Sequence, residues 1–509
     1  PTDYEIERLG TSGTDYLKTS DISKASDQTF YLDARVNYDR QFNLHHVTGM
    51  LMYMQREYRS SVLPERNQGF SGRFTYDYGQ RYLVELNFGY NGTERLAKKE
   101  RFEFFPAVSL GWVISNEKFF EPMTKYIDNL KIRGSYGLVG SDETGLSAGA
   151  QHFLYIDQVS LNNIGFTTGV DMNYTLYGPL VTNYAVVNGG WERVKKLDIG
   201  IDLELFRQLT ITADYFNEKR YNILLHREAW PESLGYYTAK PWSNKGKVDN
   251  WGIELSVNWR KEFTKDLYVD FRGNFTYTEN KYVNLDEPVY PYVWKTSTGK
   301  PLSRTTGYIA QGLFSSQEEI DNSPTQNLGS TVKPGDIKYR DVNGDGKIDG
   351  SDQVMISPYG TTPRIQYGLG MNVTYKKFDF GVFFNGSAKR TIMISGISPF
   401  GQSDYNVMQF IADDYWSESN PNPNAKYPRL GLTSSQTANN TVASTYWMRN
   451  GNFIRFKTLE LGYKFKYGRV YLNGDNIAVF SPFKLWDPEL SWNAYPLQRT
   501  FNIGVQLNF

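Results

Sequence analysis

The chain contains no cysteine in its 509 residues, which removes disulfide frameworks, thiolate catalysis and Cys-based zinc sites. Histidine is nearly as scarce: the four are His45, His46, His152 and His226, and the adjacent pair reads as polar surface of a short turn. No His-Glu-x-x-His pair and no Gly-Lys-Thr/Ser phosphate loop occurs. Gly145-Leu146-Ser147-Ala148-Gly149 has the spacing of a nucleophile elbow, but that turn works only between a strand and a helix, and its Gly/Ser-rich surroundings offer neither. No enzyme is expected. Charge of one sign is lacking too, with 55 basic and 55 acidic residues, so nothing marks a nucleic-acid partner. No run of 18 apolar residues exists and mean hydropathy is -0.53, which excludes spanning helices but not spanning strands. Pro1-Thr2-Asp3-Tyr4 has neither a basic region nor an apolar stretch, so a leader has been removed or the chain starts inside a longer protein. No fixed-period repeat suggests a propeller or solenoid.

What the chain has in quantity is aromatic residues, 16% of the total, with 38 Tyr, 31 Phe and 11 Trp. Aromatic girdles at two membrane interfaces would use them. The last nine residues show where the rest fit. Phe501, Ile503, Val505, Leu507 and Phe509 share one face of a strand, and Asn502, Gly504, Gln506 and Asn508 share the other. About nine residues is the length a tilted strand needs to cross a bilayer, with apolar side chains toward lipid and polar ones toward a wet lumen. The same alternation recurs at Tyr82/Val84/Leu86/Phe88/Tyr90, Leu197/Ile199/Ile201/Leu203/Leu205, Ile253/Leu255/Val257/Trp259, Val269/Phe271/Phe275/Tyr277 and Ile365/Tyr367/Leu369/Met371/Val373/Tyr375. Roughly fifteen such segments can be counted, with residues 3–9 as a candidate sixteenth. Leu86, Leu203, Leu255 and Leu369 are expected to face lipid. One segment slips phase: Ile454 and Phe456 share a face, Leu459, Leu461, Tyr463 and Phe465 the opposite one, so a bulge is expected near Lys457-Thr458.

The connections sort by parity. Counting back from Phe509, short ones fall near 466–468, 376–377, 261–266, 206–208, 79–81 and 41–45, with a longer one at 115–128. Between them lie long ones near 482–500, 388–452, 279–363, 217–250, 139–195, 91–104 and 57–68. Outer-membrane barrels have short periplasmic turns and longer extracellular loops, whereas a soluble sandwich has no reason for this order. The expected fold is therefore all-β, a transmembrane antiparallel β-barrel.

The longest connection holds Asp341-Val342-Asn343-Gly344-Asp345-Gly346-Lys347-Ile348-Asp349-Gly350-Ser351-Asp352, which fits a twelve-residue EF-hand loop. Asp341, Asn343, Asp345, Asp349 and Asp352 supply side-chain oxygens, Lys347 a backbone carbonyl, and Gly346 the sharp turn. Asp replaces the usual bidentate Glu at the twelfth position, so weak Ca²⁺ binding is expected, with Mg²⁺ as the alternative. A solvated acidic turn is the competing reading, since Asn-Gly and Asp-Gly are turn formers in themselves. Aromatic residues of the long loops, Trp230, Tyr236, Tyr237, Trp242, Tyr290, Tyr292, Trp294, Tyr415 and Trp416, could stack on sugar rings, or belong to a partner interface or a girdle.

Several stretches together resemble the SusC/RagA family of TonB-dependent outer-membrane transporters. They are Gly335-Asp336-Ile337-Lys338-Tyr339-Arg340-Asp341, Thr362-Pro363-Arg364-Ile365-Gln366-Tyr367-Gly368-Leu369-Gly370, Phe378-Asp379-Phe380-Gly381-Val382-Phe383-Phe384-Asn385-Gly386, Phe104-Phe105-Pro106-Ala107-Val108-Ser109-Leu110-Gly111-Trp112, Leu130-Lys131-Ile132-Arg133-Gly134-Ser135-Tyr136-Gly137, Trp251-Gly252-Ile253-Glu254-Leu255 and Trp486-Asp487-Pro488-Glu489. The resemblance implies import of oligosaccharides or peptides across the outer membrane of a Gram-negative bacterium through a plugged 22-stranded barrel. It also implies a SusD-like surface lipoprotein and energy from the TonB complex, and gives Phe509 the role of a barrel-assembly signal. On this reading residues 1–509 are the C-terminal barrel portion, about fifteen or sixteen strands, and 335–360 a metal loop within one extracellular loop. The plug and the TonB box through which that complex acts would precede Pro1. A passive porin or surface glycan-binding barrel without energy coupling is the alternative, and a soluble calcium-dependent carbohydrate-binding protein a further one.

Overall fold

The computed structural model describes residues 26–60, 64–143, 154–186, 189–231, 233, 240–394, 407–431, 433–490 and 494–508. The candidate strand at residues 3–9, the 145–149 pattern, His152, Tyr236, Tyr237 and Phe509 lie outside them.

Fifteen strands form one antiparallel sheet in which each strand pairs with the strands before and after it in the chain. They are β1 (Gln28–Phe42), β2 (His45–Arg59), β3 (Glu65–Tyr78), β4 (Tyr82–Thr93), β5 (Phe102–Val113), β6 (Ile127–Ser141), β7 (Glu192–Leu205), β8 (Leu209–His226), β9 (Trp242–Thr264), β10 (Leu267–Asn284), β11 (Ile365–Tyr375), β12 (Phe378–Ala388), β13 (Phe453–Phe465), β14 (Gly468–Phe480) and β15 (Thr500–Leu507). Register carries the alternation from strand to strand. Leu86 lies opposite Phe74 and Val108, Leu203 opposite Ile211, Leu255 opposite Phe275, and Leu369 opposite Phe384. The result is a continuous apolar band, and Leu86, Leu255 and Leu369 stand 47%, 37% and 42% exposed. An apolar face of that extent has lipid as its solvent. The bulge is where the phase slip requires it: Lys457 is passed over between Phe456 and Thr458 in the pairing with both β12 and β14.

The short turns are tight enough to drive ordinary residues to positive φ, as at Asn43, Gln80, Phe206 and Lys376. At the other end several connections are shorter than their sequence suggests. The 217–250 loop shrinks to 227–241, the 91–104 loop to 94–101 and the 57–68 loop to 60–64. Alternating polarity marks only the part of a strand beside lipid, whereas the hydrogen-bond ladder runs on into water. There β9 reaches 23 residues, and charged pairs such as Lys196–Glu218 and Arg193–Glu103 replace apolar ones. The 139–195 connection also holds a hairpin of its own, Gln158–Thr168 paired with Tyr174–Asn183.

The long connections fold together. Tyr308, Leu313, Ile337, Tyr339 and Ile348 from 285–364 share a buried core with Ile394, Ile411, Trp416, Tyr427 and Trp447 from 389–452, and Leu485 and Trp486 pack against it. The 335–360 stretch is thus not a separable unit, because Ile337, Tyr339 and Ile348 lie in the centre of this lobe.

Candidate functional site

The sheet face opposite the apolar band is polar and cross-linked by ion pairs. Arg133 on β6 reaches Asp198 and Asp202 on β7, each at 3.2 Å, and Asp214 on β8 at 2.6 Å. Arg260, Arg272 and Asn372 surround Asp270, and Arg469 joins Asp379 to Glu460. Each such pair contributes only about 0–1 kcal/mol in a wet setting, so the network adds little stability and leaves a hydrated polar face. None of these residues stood out in the sequence. Each occupies an ordinary polar position of an alternating strand, and only register brings them together.

Above this wall sits the lobe, organised on buried amides. Asn440 accepts from the Ile337 N–H at 2.8 Å and donates to Asp336 at 2.7 Å, while Asn439 donates to the Ile337 carbonyl at 2.9 Å. Gln326 donates to the same carbonyl and accepts from the Tyr339 N–H. Asp336 is fully buried, and burial raises its carboxyl above the usual range although Arg429 stands 2.7 Å away. Burial likewise pushes the Tyr339 phenol up. Gly335 enters this core at φ +87, with the Trp416 ring so close that any side chain would collide with it.

In the 341–352 loop, Asp341 accepts from the N–H groups of Gly344 and Gly346 at 2.7 and 2.8 Å, Asn343 from Asp345 and Asp345 from Lys347. Asp349 accepts from Ser351. Asp352 is fully buried, and its two oxygens accept from Val342 and Asp349. Among the described residues no three His, Cys, Asp or Glu side chains are gathered to hold a metal.

The aromatic residues divide. Tyr292 stacks on Trp294 at 4.8 Å, Asn343 donates to the Tyr292 hydroxyl, and Trp294 donates to the Ser351 carbonyl, so this pair braces the acidic loop. Trp230 lies under Arg227, Trp242 lies against His226, and burial pushes the Tyr290 phenol up. Trp416 is 5% exposed in the core of the lobe, so its ring faces protein rather than ligand, while Tyr415 beside it is only half-buried. That is a correction: a Tyr-Trp pair in a long polar loop looks the same in sequence whether it is displayed or serves as the core of a lobe. The 158–183 hairpin, which the sequence reading missed, displays Leu161, Phe166, Val170 and Met172, each at least 66% exposed.

A family model described as TonB dependent receptor-like, beta-barrel, matches residues 2–477. The TonB-dependent receptor SusC of Bacteroides thetaiotaomicron is 27% identical over 469 residues, covering 86% of this chain and 43% of that protein. The TonB-dependent receptor P3 of Formosa agariphila is 25% identical over 478 residues, covering 86% and 45%. The chain thus spans less than half the length of these curated relatives. Among solved structures, that of the RagAB peptide transporter superposes with a TM-score of 0.69 at 18% identity, over 95% of this chain and 55% of that one, a likeness of fold.

Proposed function

The chain belongs to the TonB-dependent receptor-like β-barrel family, whose members lie in the outer membrane of Gram-negative bacteria, and from that premise we propose that it forms most of the wall and mouth of a SusC-like nutrient importer. Its cargo on this reading is an oligosaccharide or a peptide, its lid a SusD-like lipoprotein, and its energy source the TonB complex acting through a segment outside this chain. The observation that carries the reading is the ion-paired polar wall that includes Arg133, set behind an apolar band and below a folded lobe. A wall whose polar side chains already bond one another leaves few of them free to grip a solute, which suits passage. The apolar hairpin at 158–183 and the lobe are the seat proposed for the lid, since exposed apolar patches of this kind mark interaction surfaces. The test is growth and uptake on defined oligosaccharides and peptides in cells that lack the protein or lack the TonB complex. Loss of uptake in both supports the importer. Uptake that survives loss of the TonB complex makes the barrel a passive pore.

Ca²⁺ bound by the 341–352 loop belongs to the same proposal. What supports it is Asp352, a fully buried carboxylate with two backbone donors and no cationic side chain paired to it among the described residues. Asp341, Asn343, Asp345 and Asp349, with the Lys347 carbonyl, would complete the donor set.

A further inference from the structure

At the extracellular ends of β11 and β12 the lumenal side opens into a cavity of about 420 Å³, lined among others by Asn274, Gln366, Phe383, Asn385, Ser387 and Arg390. Through Asn274, Gly368 and Phe383 it joins a larger hollow of about 640 Å³ lower on the polar wall. Three polar atoms here, Asn385 Oδ1, Ser387 Oγ and Arg390 Nε, are buried at its wall and have no hydrogen-bond partner among the described residues. Ser387 is 5% exposed. Buried polar groups in native proteins are almost always answered, so three orphans around one hollow point to a partner outside the described residues.

Arg390 is the unusual member. The acids whose charge acts on it are Glu489, which also lines the cavity, and Asp487, but Arg455 already holds both: it meets the two oxygens of Asp487 at 2.7 and 2.9 Å and donates to Glu489 at 2.8 Å. Arg390 makes no ion pair among the described residues, and burial pushes its guanidinium below the usual range. A guanidinium is a planar fork that suits a carboxylate. Ser387 offers a hydroxyl donor beside it, Asn385 Oδ1 an acceptor, and Phe383 a ring that is 36% exposed on the same side.

Building on the importer reading, we propose that this cavity binds the carboxylate of the transported molecule, with Arg390 and Ser387 donating to the carboxylate, Asn385 accepting from a neighbouring hydroxyl or N–H, and Phe383 covering the apolar side. Two sources share this chemistry, a uronic acid of an acidic oligosaccharide and the C-terminus of a peptide.

Calorimetric titration of the detergent-solubilised protein separates them, using trigalacturonate against its methyl ester and tetra-alanine against its C-terminal amide. One acid form should bind at least tenfold more tightly than its neutral counterpart, and which pair discriminates identifies the source. Arg390→Gln should abolish the difference with heat-modifiability unchanged, and Arg390→Lys should keep part of it. Should Arg390→Gln reduce folding yield, Ser387→Ala serves instead and should narrow the preference at least threefold. Equal binding within both pairs, or a preference untouched by these variants, overturns the proposal. The titration needs no energy coupling, so its outcome is independent of whether cells import through this barrel.

Discussion

Leu369 and Asn372 sit three residues apart on β11 and face different media. Leu369 stands 42% exposed in the apolar band, and Asn372 donates to Asp270 on the polar wall. Arginine at a lipid-facing midplane position costs about 2–4 kcal/mol, so Leu369→Arg should reduce barrel yield and heat-modifiability while Asn372→Arg leaves both near wild type. This was legible because period-two alternation encodes the side of the sheet directly. Glu319 was not legible, because its role depends on a helix start. It accepts from the Ser315 N–H and hydroxyl, each at 2.8 Å, and from Lys338, and the Ser315 N–H above all lowers its pKa to about 2. A depressed carboxyl stabilises the fold above its unfolded value near 4.5, and that contribution is lost as pH falls through about 2. Acid titration should therefore loosen the 315–321 turn in that window, and Glu319→Gln should remove the pH dependence; hydrogen exchange at Ser315 and Glu319 reads both.

At the level of elements, the acidic loop and the amide-centred lobe make separate claims. If Ca²⁺ fills the 341–352 loop, chelation or Asp345→Ala should make 335–360 protease-sensitive with the heat-modifiability of the barrel unchanged. Extracellular calcium modules commonly bind at about 10⁻⁴–10⁻³ M, so millimolar Ca²⁺ should restore protection in the wild type. Resistance that ignores chelation returns the loop to an ordinary acidic turn. Asn440→Ala instead leaves the buried Ile337 N–H unpaired and takes one of several donors from Asp336, at a cost of about 1–3 kcal/mol. Limited proteolysis should then find both 305–357 and 407–447 opened together. Motif spacing is what singles out the first element in sequence, as a loop of closely spaced oxygens. The second was hidden, since Asn439-Asn440 in a polar segment looks like solvated surface until Ile337, more than a hundred residues earlier, is brought against it.

For the whole molecule, loop parity was the decisive sequence signal for topology, and the up-and-down order of all fifteen strands agrees with it. Loop lengths were less readable, for strands outrun the membrane. Because three long connections share one core, trimming 407–447 should release a lipoprotein lid and also unsettle 305–357, with the sheet intact; a lid that still co-purifies sits elsewhere, on the 158–183 hairpin or beyond this chain. The same sequential pairing governs how the molecule assembles. Every strand of the sheet pairs with the next sheet strand along the chain, so hairpins closed by two- or three-residue turns can form early, and joining them across the long connections adds only about 0.6 kcal/mol of closure entropy per doubling of loop length. The lobe has no such freedom. Its buried core draws on the stretches before β11 and after β12, so the β11–β12 hairpin is the clasp between its two halves, and a chain in which that hairpin has not closed holds those halves apart.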